Sequence, residues 1–143
     1  MIETVTPYQL LGGEKPLHSL VDRFYFYMDI LPEAQGIRAM HGKNLSPANE
    51  KLFKFLSGWL GGPNLFIEEY GHPRLRMRHF PFAIGPAERD QWMHCMQRAL
   101  AEISISQPLR DELYQALYQL ATHMINTGQI DTGPDGDLIQ IQE

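Results

Sequence analysis

Cysteine is almost missing from this chain. Cys95 is the one cysteine in 143 residues, so no intramolecular disulfide can form and a reducing cytoplasm is the expected setting. Basic residues are also few: 12 lysines and arginines face 17 aspartates and glutamates, for a formal net charge of −5. Nucleic-acid phosphates want the opposite sign, which argues against them as the main partner. No apolar run approaches the roughly 20 residues that a membrane helix needs, and the N-terminal stretch lacks the basic start and apolar core of a signal peptide. No internal repeat and no G-x-G-x-x-G fingerprint is present, and strand patterns are scarce. What remains is a single soluble domain with 43% hydrophobic residues, enough to bury a core without staples.

Helical periodicity fills most of that domain. From Pro16, apolar residues fall at Leu17, Leu20, Val21, Phe24, Tyr25 and Met28, one face of a helix. A second stripe runs through Leu52, Phe55, Leu56 and Trp59, with Ser46 as expected N-cap, Pro47 at the first helical position, and Gly61-Gly62-Pro63 as its end. A third helix opens at Gly85-Pro86, has Glu88 and Asp90 in its first turns, and carries Trp92, Met96, Ala99 and Ile103. A fourth starts near Pro108 and runs past Leu113, Leu117 and Met124 towards Gly128. Shorter helical pieces are expected around Tyr8 to Leu11, Glu33 to Met40 and Pro73 to His79. The fold class is therefore all-α. The last residues, 128–143, are rich in glycine and aspartate and read as a loosely ordered tail. Its "DTGPDGD" lacks the acidic spacing of a calcium loop.

The stretch "GHPRLRMRHFPFAIGP", Gly71 to Pro86, breaks the acidic trend by crowding arginines and histidines together. As a strand it is short and bounded by prolines. As a helix from Pro73 it puts Leu75 and His79 on one face and stops near Phe80, which precedes a proline. One histidine in an apolar surround with cations close by suits a haem, which needs an axial imidazole, apolar walls and positive charge for its propionates. The plain alternatives, a satisfied core histidine and a solvated arginine face, stay open on spacing alone.

Further segments bear on this reading. "RFYFYM" at Arg23 to Met28, "KFLSGWLGGP" at Lys54 to Pro63, "GHPRLRMRHFPFAIG" and "ERDQWMHCM" at Glu88 to Met96 together resemble the group II truncated haemoglobins, in the family's order over roughly residues 5 to 127. The resemblance implies a truncated globin over residues 1–127, a two-over-two helical sandwich around haem b. His79 is then the proximal iron ligand, with Nε2 towards the metal and Nδ1–H on a backbone acceptor. Tyr25 matches the distal tyrosine and Trp92 the distal tryptophan, both able to donate to a bound ligand. His41 falls where the family more often has tyrosine or phenylalanine. Ala48 is the small residue that implies side access, and Leu52 roofs the pocket. The haem surround is expected from Phe55, Phe66, Met77, Phe82 and Ile84, with Arg76 and Arg78 for the propionates.

Function follows from that assignment as an expectation. The expected partners are dioxygen, nitric oxide, carbon monoxide and peroxide, with donors holding dioxygen too tightly for bulk delivery. Nitric oxide dioxygenase- or peroxidase-like activity would need a separate electron donor, since this chain carries no flavin or nicotinamide fingerprint. The protein is expected to be a monomer or homodimer. The alternative is a non-haem all-α interaction module that docks an acidic partner through Arg74, Arg76 and Arg78. A histidine metal site without porphyrin is disfavoured, because no His or Cys pair has helical ligand spacing.

Overall fold

Gly12 and Gly13 have φ angles of 114° and 92°, a region that costs a residue with a side chain far more than glycine. They turn the chain between a short first helix, α1 (Pro7–Leu11), and the long α2 (Glu14–Ile30). A computed structural model describes residues 5–127 and continues with a 3-10 turn (Pro32–Ala34), α3 (Gln35–Arg38), α4 (Ser46–Trp59), α5 (Leu65–Tyr70), α6 (Leu75–His79), α7 (Pro86–Leu100) and α8 (Gln107–His123). Among the described residues there is no strand, as the all-α expectation requires. The expected tail at residues 128–143, with its "DTGPDGD", lies outside the described residues.

The four long helices make two pairs. α2 packs on α4, α7 packs on α8, and α2 crosses α7 to join the pairs. The reason is readable in the stripes. α2 buries Leu17, Leu20, Val21, Phe24 and Met28, α4 contributes Phe53 and Leu56, and α7 meets them with Met93, Met96, Ala99 and Leu100. Leu109, Leu113 and Leu117 of α8 close the other side of α7. Phe24 is fully buried where α2 meets the aromatic ring of Trp92, 5.0 Å between ring centres.

Several boundaries differ from those the sequence led one to expect, and capping explains most of them. Ser46 is not the N-cap of α4. Leu45 holds that position, and the Asn44 side chain accepts from the Ser46 N–H at 3.0 Å, so Ser46 is free to be helical. α2 starts at Glu14, ahead of Pro16, because Gly13 supplies the turn. α8 is capped by Ser106, whose hydroxyl accepts from the Leu109 N–H at 3.3 Å, and it ends at His123, short of Gly128. Ile103 is buried but lies past the end of α7. α5 has no counterpart in the sequence reading. Its Phe66 is buried and stands 6.3 Å from Phe55 between ring centres, while the Glu69 carboxylate accepts from Lys54 Nζ of α4.

The α2–α7 junction is the element whose loss should be felt most. Phe24→Ala is expected to cost about 3–5 kcal/mol, the range for emptying a closed aromatic site. Urea denaturation of the variant beside the parent checks it, and a loss under about 1 kcal/mol would show that the junction is not closely packed.

Candidate functional site

The segment between α5 and α7 carries the arginine block, and its backbone departs from the expected helix start. Pro73 does not open the helix. Arg74 takes up φ 45°, ψ 53°, a left-handed conformation that is uncommon outside glycine, and α6 begins at Leu75. The Arg74 N–H donates to His72 Nδ1 at 3.2 Å, which helps hold that kink. His79 ends α6, and its Nδ1 lies 2.7 Å from the Leu75 carbonyl oxygen. A carbonyl has no proton to give, so Nδ1 carries the hydrogen and donates it. The neutral ring then offers the lone pair of Nε2. A metal-ligating histidine needs that tautomer, with its second nitrogen anchored by an acceptor.

Apolar side chains stay uncovered beside this histidine. Met77 is 52% exposed, Phe80 57% and Phe82 40%, whereas Ile84 and Phe66 are buried and Leu52 and Phe55 half-buried. Large apolar side chains grouped on one exposed segment mark a surface that something else covers. The two flanking arginines are turned to the chain's own backbone. Arg76 Nη1 donates to the carbonyls of His123 and Ile125 at the end of α8, the second at 3.0 Å. Arg78 Nε donates to the Pro73 carbonyl, and its guanidinium lies 5.4 Å from the Phe66 ring centre. With two of the three arginines so engaged, a free cationic patch for an acidic partner is not what the geometry presents.

Across α2 a second group gathers. Tyr25 is buried, and its hydroxyl donates to the Ala48 carbonyl of α4 over 3.3 Å, a long bond. Burial pushes the phenol well above its ordinary pKa, so the hydroxyl keeps its proton as a donor. The His41 ring stands edge-on to Tyr25, 6.0 Å between centres, with Nδ1 2.9 Å from the Ile37 carbonyl. The same proton argument puts the hydrogen of His41 on Nδ1 and leaves Nε2 as an acceptor. Trp92 of α7 is half-buried and reaches this group through Phe24. Tyr25, His41 and Ala48 are thus brought together directly, with Trp92 one ring away.

Residues that sequence reasoning passed over hold this group in place. Gln91 Oε1 accepts from the Ile37 N–H at 3.0 Å, pinning α3 to α7. A Cβ on Gly36 would stand 2.8 Å from that same oxygen, which accounts for a glycine inside a helical stretch. Arg38 donates to Asp29 and to the carbonyls of Gly42 and Lys43, at 2.9, 2.9 and 3.1 Å, and so shapes the loop after His41. The glycine was the one visible signal. Elsewhere, His18 is stacked on Phe53 at 3.6 Å between ring centres. Among the described residues no three His, Cys, Asp or Glu side chains converge as metal ligands.

This arrangement defines a class: a helical sandwich with a histidine lone pair at Nε2 of His79 beside exposed apolar side chains, and a buried phenol donor on the neighbouring helix pair. Such a site fits a flat, apolar, metal-bearing group such as haem. Residues 6–126 match the bacterial-like globin family. The group 2 truncated hemoglobin YjbI of Bacillus subtilis is 37% identical over 120 residues, 84% of this chain and 88% of that protein. Among solved structures, the cold-adapted truncated hemoglobin of the Antarctic bacterium Pseudoalteromonas haloplanktis TAC125 is 46% identical with a TM-score of 0.83, covering 86% of this chain and 99% of the other. A truncated oxygen-avid haemoglobin from Bacillus subtilis is 36% identical with a TM-score of 0.77, covering 85% and 99%. The chain is a bacterial-like globin and belongs to the group II truncated haemoglobins, a family of haem-based binders of small ligands such as oxygen. No helix among the described residues is long and apolar enough to cross a membrane.

Cys95 is a bystander to this chemistry. It is fully buried, and burial, with the Glu33 carboxylate adding to it, pushes its thiol up to about 11. The folded state therefore holds the proton more tightly than the unfolded chain, whose thiol titrates near 9. Its contribution to stability is full below pH 9 and is lost as pH rises towards 11. Iodoacetamide at pH 8 should leave the folded protein unmodified and label it rapidly in denaturant; rapid labelling of the native protein would show the thiol to be accessible.

Proposed function

We propose that this globin holds haem b through His79 Nε2 and retains dioxygen tightly, as suits redox chemistry on dioxygen, nitric oxide or peroxide, or sensing, more than bulk delivery. The observation that carries the reading is the Tyr25 hydroxyl: desolvated, protonated, and held only by a 3.3 Å bond to the Ala48 carbonyl. When bound, haem supplies the metal centre at which diatomic ligands dock. The Tyr25 hydroxyl gives up its long bond for any ligand atom that draws in negative charge, because a charged acceptor in a dry site outcompetes an amide carbonyl. Such a bond is worth about 1.5–3 kcal/mol. The Trp92 indole N–H is a second donor of the same kind.

The remaining residues are assigned by position. His41 stands at the edge of the pocket, with Nδ1 on the Ile37 carbonyl and Nε2 left to meet a ligand. Ala48 leaves room for small ligands, and Leu52 excludes water from above. Phe55, Phe66, Met77, Phe82 and Ile84 supply apolar contact to the haem. Arg76 and Arg78 keep two positive charges on the proximal segment, the sign that propionates need. Catalytic turnover draws electrons from a separate donor protein. The similar Bacillus subtilis structure is described as oxygen-avid, in keeping with a donor-lined pocket.

Ultraviolet–visible spectra of the purified protein, oxidised and then reduced under carbon monoxide, test the assignment beside His79→Ala. A Soret band that shifts with carbon monoxide and collapses in the variant is expected; a protein that takes up no haemin would overturn the reading. Stopped-flow oxygen release tests the pocket. Tyr25→Phe and Trp92→Leu should each speed release about 10- to 100-fold, the loss of one bond of that strength. Release from the parent as fast as from a storage globin would refute tight retention.

A further inference from the structure

α6 carries His79, yet none of its residues is buried. A helix of five residues is far below the roughly 12–15 that hold themselves together in water. Its position must therefore be imposed by ties to the rest of the fold. The chain just past the end of α8 supplies them. Asn126 Oδ1 accepts from the Ile84 N–H at 2.9 Å, while Nδ2 donates to the Phe82 carbonyl at 3.0 Å and, longer, to that of His79 at 3.4 Å. The backbone N–H groups of Asn126 and Thr127 both donate to the Ile84 carbonyl, at 2.7 and 3.0 Å. Arg76 reaches the same segment from within α6, donating to the His123 and Ile125 carbonyls.

We propose that Asn126 is the positioning residue for His79: it clasps both ends of the turn 79–84 and so fixes the tilt and depth of the imidazole. The inference rests on His79 being the haem ligand. A primary amide suits the task because one end accepts and the other donates. An aspartate at 126 would set carboxylate oxygen against two carbonyl oxygens while keeping the bond from Ile84, and alanine would remove all three side-chain bonds without adding charge. Freed of the clasp, α6 and its following turn are left with half-buried Leu75, the Arg76 tie, the Arg78 contacts to Pro73 and Phe66, and the backbone bonds to the Ile84 carbonyl, none of which reaches the carbonyls of His79 and Phe82 from outside the turn. His79 then samples several orientations under the haem.

The test uses the haem-loaded full chain as parent, Asn126→Asp, Asn126→Ala, His79→Ala, and Leu113→Ala as a destabilised control in buried α8. Resonance Raman of the reduced, ligand-free protein reads the iron–histidine stretch, and transfer of haem to excess apomyoglobin reads its retention. Both Asn126 variants should shift or broaden the stretch and speed haem loss at least about fivefold, as expected for leaving the His79 and Phe82 carbonyls without their side-chain donor. Leu113→Ala should lower the denaturation midpoint with the band unmoved. In the haem-free protein, amide exchange at Ile84 should rise in Asn126→Ala, which loses the acceptor, and stay near the parent's in Asn126→Asp, which keeps it. A parent-like band and haem loss within twofold in both variants, or the same shift in Leu113→Ala, would overturn the proposal. If His79→Ala kept the band, the reading of His79 itself would fall instead; if it lost the band while the Asn126 variants kept it, only the clasp would fall.

Discussion

The bond from His79 Nδ1–H to the Leu75 carbonyl, 2.7 Å long, fixes which nitrogen of the ring is left with a lone pair. The ties around α6 keep that ring where it is. The bond lies within α6 itself, so it orients the imidazole relative to its own helix but says nothing about where the helix sits. That second task falls to polar ties, because α6 buries no side chain. The left-handed Arg74 ends one approach to α6 and the turn 79–84 ends the other, so the histidine sits on a short rigid insert between α5 and α7. Hydrogen bonds are directional where apolar packing is not, and a ligand that must meet a metal at a set angle gains from direction more than from buried area.

The group around Tyr25 is built by the opposite method. Tyr25 belongs to the buried stripe of α2, so its ring is set by the core and only its hydroxyl is polar. The same helix thus performs two tasks. Its inner face joins the two helix pairs through Phe24, and the residue beside Phe24 presents the donor. A buried hydroxyl with one long bond is under-satisfied, which is costly in a structural core and useful in a pocket. His41 stands on the loop between α3 and α4 instead, where Gln91 and Arg38 tie the backbone on either side of it. Its position is therefore set by polar ties, whereas that of Tyr25 is set by the packing of α2.

The long helices were legible in the sequence because their stripes have helical period and their prolines stand near their starts. Their ends were less so. Ser46 looks like a cap in isolation, and only the Asn44 side chain, two residues earlier, relieves it of that role. Tyr25 and Trp92 read as ordinary core aromatics from periodicity, since a pocket donor on a buried stripe differs from its neighbours only in what its polar atom meets. Only the family resemblance singles them out in the sequence. Asn126 and Gln91 were illegible for a different reason. Their partners lie 42 and 54 residues away in the chain, and no local pattern encodes such a pairing. Asn126, moreover, stands beyond the last helix, where asparagine is an unremarkable loop residue.

The concentration of arginine in an acidic chain has a further physical reason. The end of α8 leaves carbonyl groups without helical partners and carries the negative end of the helix dipole. Arg76 donates to two carbonyls there, and Arg78 to that of Pro73 just before α6. Each guanidinium carries several fixed donors, so one side chain satisfies acceptors that would otherwise need separate partners. A lysine at either position would keep the charge but lose that fork. Positive charge thus accumulates beside His79 because the backbone there needs donors, and the same charge is of the sign that an anionic cofactor edge requires. Structural need and cofactor chemistry favour the same residue type at the same place, which is why the block stands out so sharply against the rest of the sequence.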